Sequence, residues 1–370
     1  MLNLGQSLIL RPDENGVDGD TAGEGSASIR WGSRARDSVI ALYSNLETGF
    51  VTIDRQILDE AFGCKLVIVG RNASGVAAAV CTVARTSACV GWFASWHTFP
   101  VVLAAALLRK PFLLIIGGYD LANMPEIEYG HQRGGLKRWI SLATMKLASR
   151  LMTNSEYSRG EGKRNAGLDP KTVGVVHHGV PDVFGKRPPK SWKRLVVTVG
   201  NVDRANLFRK GHEPFVRAAA LLPDVEFRLI GSWRDDAIDY LKSIATTNVV
   251  FPGRVSDDEL NASLMEASVY VQASAHEGFG MSLAEAMLAC CVPVVSCNGA
   301  IPEVVGECGL YLSRITPEAL AQNIEAALAR GPIIGPVARE RIIHSFPLEV
   351  RRRGLVREIR ALIEDEGRVI

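Results

Sequence analysis

Two glutamates stand eight positions apart around a glycine turn, in Glu277-Gly-Phe-Gly-Met-Ser-Leu-Ala-Glu285. Val269, Tyr270 and Val271 upstream are strand formers. Gly278 and Gly280 bracket Phe279 where the backbone must approach a ligand or take φ > 0. Ser282, with Glu285 three residues later, fits an N-cap and capping box for a helix through Leu288. Pro293 ends that helix, and Val294-Val295 begin the next strand. A glycine turn feeding a helix N-terminus, just past the carboxyl end of a strand, suits a phosphate. Carboxylates beside a phosphate site need hydroxyl partners, and ribose or hexose supplies them in vicinal pairs. A ligand carrying both groups is a nucleotide sugar.

The stretch resembles the E-x7-E motif of retaining glycosyltransferases of the B fold, family four. The resemblance implies that Glu285 binds the nucleotide ribose and that Glu277 lies against the donor sugar. The backbone of Gly278, Phe279, Gly280, Met281 and Ser282 would then hold the diphosphate. It also implies an α/β fold of two doubly wound, Rossmann-like domains facing across a cleft, the GT-B type. Lys193–Gly200 followed by Lys210-Gly211 matches the family's strand and helix opening. There Lys210 and an arginine would neutralise the diphosphate, including the charge on the leaving group. Asn201 stands where relatives carry the arginine, so Arg204 is the preferred substitute and Arg209 the other. Gly231 matches a turn beneath the base, and Val255 a residue packed on it. Glu303, in Gly299-Ala-Ile-Pro-Glu303, matches a Gly-x-x-Glu turn and is expected to orient rather than catalyse. His97 matches a donor-sugar histidine. Gly117-Gly118, with Tyr119 and Asp120, matches the acceptor side. The resemblance covers about residues 38–345.

The elements that must position these residues follow from patterning. Short apolar runs at Ser38–Ser44, Cys64–Gly70, Cys89–Ser95 and Lys110–Ile116 alternate with helical stretches, as in a parallel doubly wound sheet. Gly49 lies just beyond the first strand, on the ligand-binding edge of such a sheet. Phe99–Leu108 and Pro111–Ile116 are each too short to span a bilayer and read as a buried helix and a buried strand. The boundaries expected are a flexible tail at 1–36, an acceptor-side domain at 37–182, a linker at 183–192, and a donor domain at 193–345. A C-terminal helix at 346–370 would pack back on the first domain. Arg351-Arg-Arg353 reads as a solvated face.

The 370 residues carry a formal net charge of +2, which gives no global case for nucleic acid. Seven cysteines without C-x-x-C spacing suggest free thiols in the cytosol, and no signal-peptide pattern opens the chain. No Asp-x-Asp metal motif is evident within the expected domains at 37–345, so no metal ligand or cofactor is expected and charge neutralisation falls to Lys210, an arginine and the helix dipole. Gly135–Leu151 is basic and amphipathic, which reads first as one solvated and one core face. Peripheral association with the inner face of a membrane remains the alternative. The expected activity is retaining transfer of a hexose from a nucleotide-diphosphate sugar to a glycan or glycolipid. The alternatives are a sugar phosphorylase or epimerase on the same fold, and a non-catalytic nucleotide-sugar-binding or assembly protein.

Overall fold

A computed structural model describes residues 40–185 and 190–367. The N-terminal stretch read as a tail, Ser38 and Val39 of the first strand, and residues 186–189 of the linker lie outside the described residues. The elements below belong to one compact unit, Asp37–Ile370.

The first domain alternates β1 (Ile40–Ser44), α1 (Gly49–Phe62), β2 (Cys64–Ile68), α2 (Ala73–Val83), β3 (Ala88–Trp92), α3 (Phe99–Leu107), β4 (Phe112–Ile116), α4 (Gly135–Leu147), β5 (Arg150–Thr153), α5 (Glu156–Ala166) and β6 (Val173–Val175). Its six strands are parallel in the order β2-β1-β3-β4-β5-β6. β1, β3 and β4 are buried at every position. Helices cover both faces of such a sheet, so its central strands read as unbroken apolar runs.

The second domain comprises β7 (Lys193–Val199), α6 (Arg204–Arg209), α7 (His212–Ala218), β8 (Glu226–Ile230), α8 (Ala237–Ile244), β9 (Val249–Gly253), α9 (Asp257–Glu266), β10 (Ala267–Gln272), α10 (Met281–Leu288), β11 (Val292–Val295), α11 (Ile301–Val305) and β12 (Leu310–Tyr311). Its parallel order is β12-β11-β10-β7-β8-β9. Two long helices follow, α12 (Pro317–Ser345) and α13 (Leu348–Gly367). α12 runs on past Pro332 and Pro336. Gly331 and Gly335 allow this part of the helix to lie against the Trp192 ring; a Cβ on Gly331 would sit 2.6 Å from it. Among the described residues no helix is long and apolar enough to cross a membrane.

In each sheet the strand order reverses at one point, between β1 and β3 and between β7 and β10. Loops leaving neighbouring strands there diverge and open a crevice, where doubly wound sheets bind ligands. α13 joins the first domain: Leu355, Ile359 and Leu362 enter the core of Ile40, Leu42 and Trp92. Arg351 is no solvated residue. Its side chain is fully buried and forks onto Asp54 of α1 at 2.8 and 2.6 Å. Trp92 Nε1 donates to the same carboxylate at 3.0 Å. Arg352 and Arg353 do lie at the surface, paired with Glu60 and Glu349.

Candidate active site

A cavity of about 660 Å³ lies between the two sheets' switch points. That is the size of ordinary small-molecule sites. The first domain lines it with Asn45, Phe50, His97, Gly118 and Tyr119, and the second with Lys210, Gln272 and the run from Glu277 to Ser282.

Lys210 and Glu277 form its centre. Lys210 caps α6, and Gly211 follows at φ 71° so close to β10 that a Cβ would lie 2.5 Å from the Ala273 carbonyl. The lysine is thereby pressed against the end of β10. Glu277 is pinned from the other side, its carbonyl accepting from Ala300 N at 2.8 Å, and a Cβ on Gly299 would lie 2.3 Å from that oxygen. The Lys210 ammonium donates to the Glu277 carboxylate, and Gln272 Nε2 donates to the same oxygen at 3.0 Å. Burial would raise the Glu277 carboxyl. The charge and hydrogen bond of Lys210 outweigh it, with Arg209 and His276 adding, and hold Glu277 below the usual range.

α10 begins at Met281 with Gly280 as its cap, at φ 99°. Ser282 is therefore inside the helix, and the capping box expected of Ser282 and Glu285 is not formed. Glycine takes the cap because its left-handed backbone turns the chain from Glu277 into the helix without a Cβ penalty. Freed from capping, Glu285 is half-buried, and its side chain makes no hydrogen bond among the described residues. Burial pushes its carboxyl up, and Asp257 at the start of α9 adds to this. Val255, just before α9, packs with the cluster that holds Leu283 of α10. Gly231 closes on β7, where a Cβ would lie 1.9 Å from Gly200 O. Glu285, Val255 and Gly231 do not line the central cavity.

On the first-domain side His97 is buried and lines the cavity. Its Nε2 lies 2.9 Å from the Trp92 carbonyl, which can only accept, so Nε2 carries the proton. Nδ1 is buried without a partner among the described residues and presents a lone pair. Burial lowers the ring to about 4, so it is neutral near pH 7. Gly118, at φ 71°, faces Gly278 across the cleft; a Cβ on Gly278 would lie 3.3 Å from Gly118 N. Tyr119 lines the cavity, edge-on to Tyr129 and His131.

Three further expected site residues lie elsewhere or do other work. Arg204 is exposed and paired with Asp236, away from the cavity wall, because it opens the short helix α6 on its outer side. Arg209, at the other end of α6, faces inward: its guanidinium lies 4.8 Å from the Tyr129 ring centre and acts on Glu277. Gly49 begins α1 with open space where a Cβ would stand, and Asn45, Leu46 and Phe50 line the cavity in its place. Asp120 touches the cavity wall, but both carboxylate oxygens are taken by Ala94 N at 2.8 Å and Gly117 N at 2.9 Å. It fastens the β3 and β4 loops together, and burial raises its carboxyl to about 7.

Other residues, of which the sequence singled out only Glu303, tie the domains at this edge. Glu161 meets His276 at 3.0 Å, both buried. Ser155 Oγ donates to Gly278 O at 2.8 Å. Glu303 accepts from the first N–H groups of α5, Glu156 N at 2.9 Å and Tyr157 N at 3.2 Å, and pairs with His177. Gln272 had one visible signal, a polar residue closing an apolar strand six positions before the glycine turn.

Two Rossmann-like domains facing across a cleft, with a lysine–glutamate pair beside a helix N-terminus, define a protein of the GT-B fold. Residues 193–330 match the family described as glycosyl transferases group 1. It is 31% identical over 148 residues to O-antigen chain mannosyltransferase B of Escherichia coli, covering 37% of this chain and 38% of that protein. It is 27% identical over 269 residues to D-inositol 3-phosphate glycosyltransferase of Mycolicibacterium gilvum, covering 66% of this chain and 57% of that one. The chain thus spans roughly two-fifths to three-fifths of the length of these curated relatives. Among solved structures, Anabaena HepE in complex with UDP and glucose superposes with a TM-score of 0.71 at 18% identity, over 88% of this chain and 100% of that one. Sucrose-phosphate synthase of Thermosynechococcus elongatus gives a TM-score of 0.71 at 17% identity, over 89% and 100%.

Proposed function

We propose that this chain transfers a hexose from a nucleotide-diphosphate sugar to a glycan or glycolipid hydroxyl, with retention of anomeric configuration. The observation that carries the reading is the Lys210–Glu277 pair held against the start of α10 inside the cavity. An arriving diphosphate would draw the Lys210 ammonium to its oxygens, with Arg209 and the first amides of α10 completing its neutralisation. Glu285, half-buried without a hydrogen-bond partner, suits the ribose hydroxyls. Glu277 and the Nδ1 lone pair of His97 suit hydroxyls of the donor sugar.

In the transfer step the bond from the anomeric carbon to the diphosphate oxygen breaks as the acceptor oxygen attacks from the same face. The departing phosphate oxygen takes the acceptor's proton. Glu277 serves as a positioning group and not as a nucleophile, because Lys210 and Gln272 already engage its carboxylate. The reading is further supported by HepE being solved with UDP and glucose, and by curated relatives being mannosyltransferases or glycosyltransferases. No metal is required in this scheme.

The test is proton NMR of the sugar released when the protein slowly hydrolyses its donor, or transfers it to acceptor extracts. The first product should carry the donor's anomeric configuration. An inverted product contradicts the reading. Release of sugar 1-phosphate that depends on added phosphate would identify a phosphorylase, and epimerised donor an epimerase.

A further inference from the structure

The joined outer faces of α3 and α4 do not behave as ordinary solvated surface. Leu103 is 38% exposed, Leu107 77% and Leu108 49%; on α4, Leu136 is 72% and Trp139 59% exposed. The sequence predicted a buried helix over Phe99–Leu108, yet this one turns a row of leucines outward. Phe99 and Trp139 meet edge-on at 5.7 Å, so the two helices present one surface. A monomer seldom leaves such a contiguous apolar patch to water.

The two helices and the turn between α3 and β4 carry charge of one sign. Neither helix, nor the turn Leu108–Pro111 between α3 and β4, contains an acidic residue. Arg109, Lys110, Lys137, Arg138 and Lys146 all belong to these segments. Lys137 also lines the cavity, so the patch begins at the cavity's first-domain wall. Protruding leucines with a tryptophan among basic residues match a bilayer interface, where apolar side chains enter the acyl boundary and cations meet anionic headgroups.

We propose that the α3–α4 face docks the protein on an anionic lipid surface. The cavity would then open beside the bilayer, where a lipid-linked acceptor is presented. This deepens the proposed function by naming where the acceptor lies, but docking itself is measured without any transfer step and stands or falls apart from it.

The experiment is co-sedimentation of the full chain with vesicles of phosphatidylcholine alone and of phosphatidylcholine with phosphatidylglycerol, at low and physiological salt. Two double variants accompany it: Leu107→Glu with Trp139→Glu, and Arg109→Glu with Arg138→Glu. Lys137 is left intact because it lines the cavity. The wild type should bind the anionic vesicles, less strongly as salt rises, and the neutral ones poorly. Each lost basic residue should weaken binding roughly fivefold, and charge reversal more. The apolar pair should weaken it at least about tenfold. The basic double variant should keep the wild-type melting temperature, and the apolar one should fold with a slightly lower value, since Trp139 gives up its contact with Phe99. The proposal is overturned if the wild type ignores anionic vesicles, or if both folded variants bind as it does. It is also overturned if lipid-free ultracentrifugation shows a wild-type dimer that Leu107→Glu with Trp139→Glu dissolves, which would assign the face to a second copy.

Discussion

Lys210 and Glu277 arrive from two different loops, the one after β7 and the one after β10, and meet at the switch point of the second sheet. Neither residue is placed by its own loop alone. Gly211 seats the lysine on β10, and Gly299 with Ala300 seats the glutamate on α11. Replacing Lys210 by alanine should lower kcat by about 10²–10³, the usual cost of losing one electrostatic stabiliser of developing charge. KM for the donor should change less. Steady-state kinetics against donor concentration checks this, and an unchanged kcat would remove Lys210 from the reaction.

Glu285 should show opposite effects on stability and on binding. Burial raises its carboxyl in the folded chain above the unfolded value. The folded state therefore takes up the proton more readily, and the ionised side chain costs stability at neutral pH. That cost should vanish as pH falls through the ordinary glutamate value, about 4.3. Glu285→Gln should accordingly raise Tm at pH 7 and leave it unchanged near pH 4. The same variant should weaken nucleotide binding by about 1.5–3 kcal/mol, the worth of a hydrogen bond to a charged group. Melting curves across pH, with calorimetric titration of nucleotide, measure both halves.

The Arg351–Asp54 pair fixes α13 to the first domain in a fully buried setting. Arg351→Met leaves the Asp54 charge uncompensated and should cost about 3–5 kcal/mol in chemical denaturation. Adding Asp54→Leu should recover much of it. Recovery should stay incomplete, because Trp92 Nε1 loses its acceptor, at about 1–3 kcal/mol. Equal stability of the single and double variants would contradict this account.

Glu303 joins the domains by supplying the acceptor that the first turn of α5 needs. Losing a helix N-cap acceptor costs about 0.5–2 kcal/mol. Here the lost bonds, with the His177 pair, also cross the cleft. Glu303→Ala should lower Tm and enlarge the radius of gyration in solution scattering. A lower Tm with unchanged scattering would make Glu303 a cap and nothing more.

Much of the second domain was legible because its chemistry is local. Lys210-Gly211 and Glu277 to Glu285 each lie in one short stretch, where residue type and spacing speak directly. What escaped was set by distant partners. Arg204 and Arg209 stand at the two ends of a single six-residue helix, and only its packing turns Arg209 toward Tyr129 and Glu277 and Arg204 toward Asp236. Arg351 looked like a surface charge until Asp54, nearly three hundred positions away, supplied its partner. Asp120 carried the right chemistry for an acceptor but is consumed by two backbone amides. Ser282 had the right spacing for a cap, yet Gly280 takes the position, because the turn from Glu277 needs a left-handed residue there.

The central claim is that a nucleotide-diphosphate sugar binds with its diphosphate and sugar in the cavity at Lys210 and Glu277 and its ribose at Glu285, beyond the cavity wall. Its most direct test is a thermal shift of the full chain against UDP-, GDP-, ADP- and TDP-sugars in the presence of a chelator, alongside Lys210→Ala and Glu285→Ala. A ligand that binds the folded state raises Tm, by an amount that grows with the logarithm of its concentration over Kd. The account predicts a selective rise with one donor base, undiminished by chelation and reduced in both variants. No shift with any donor, or an equal shift in wild type and both variants, would contradict it.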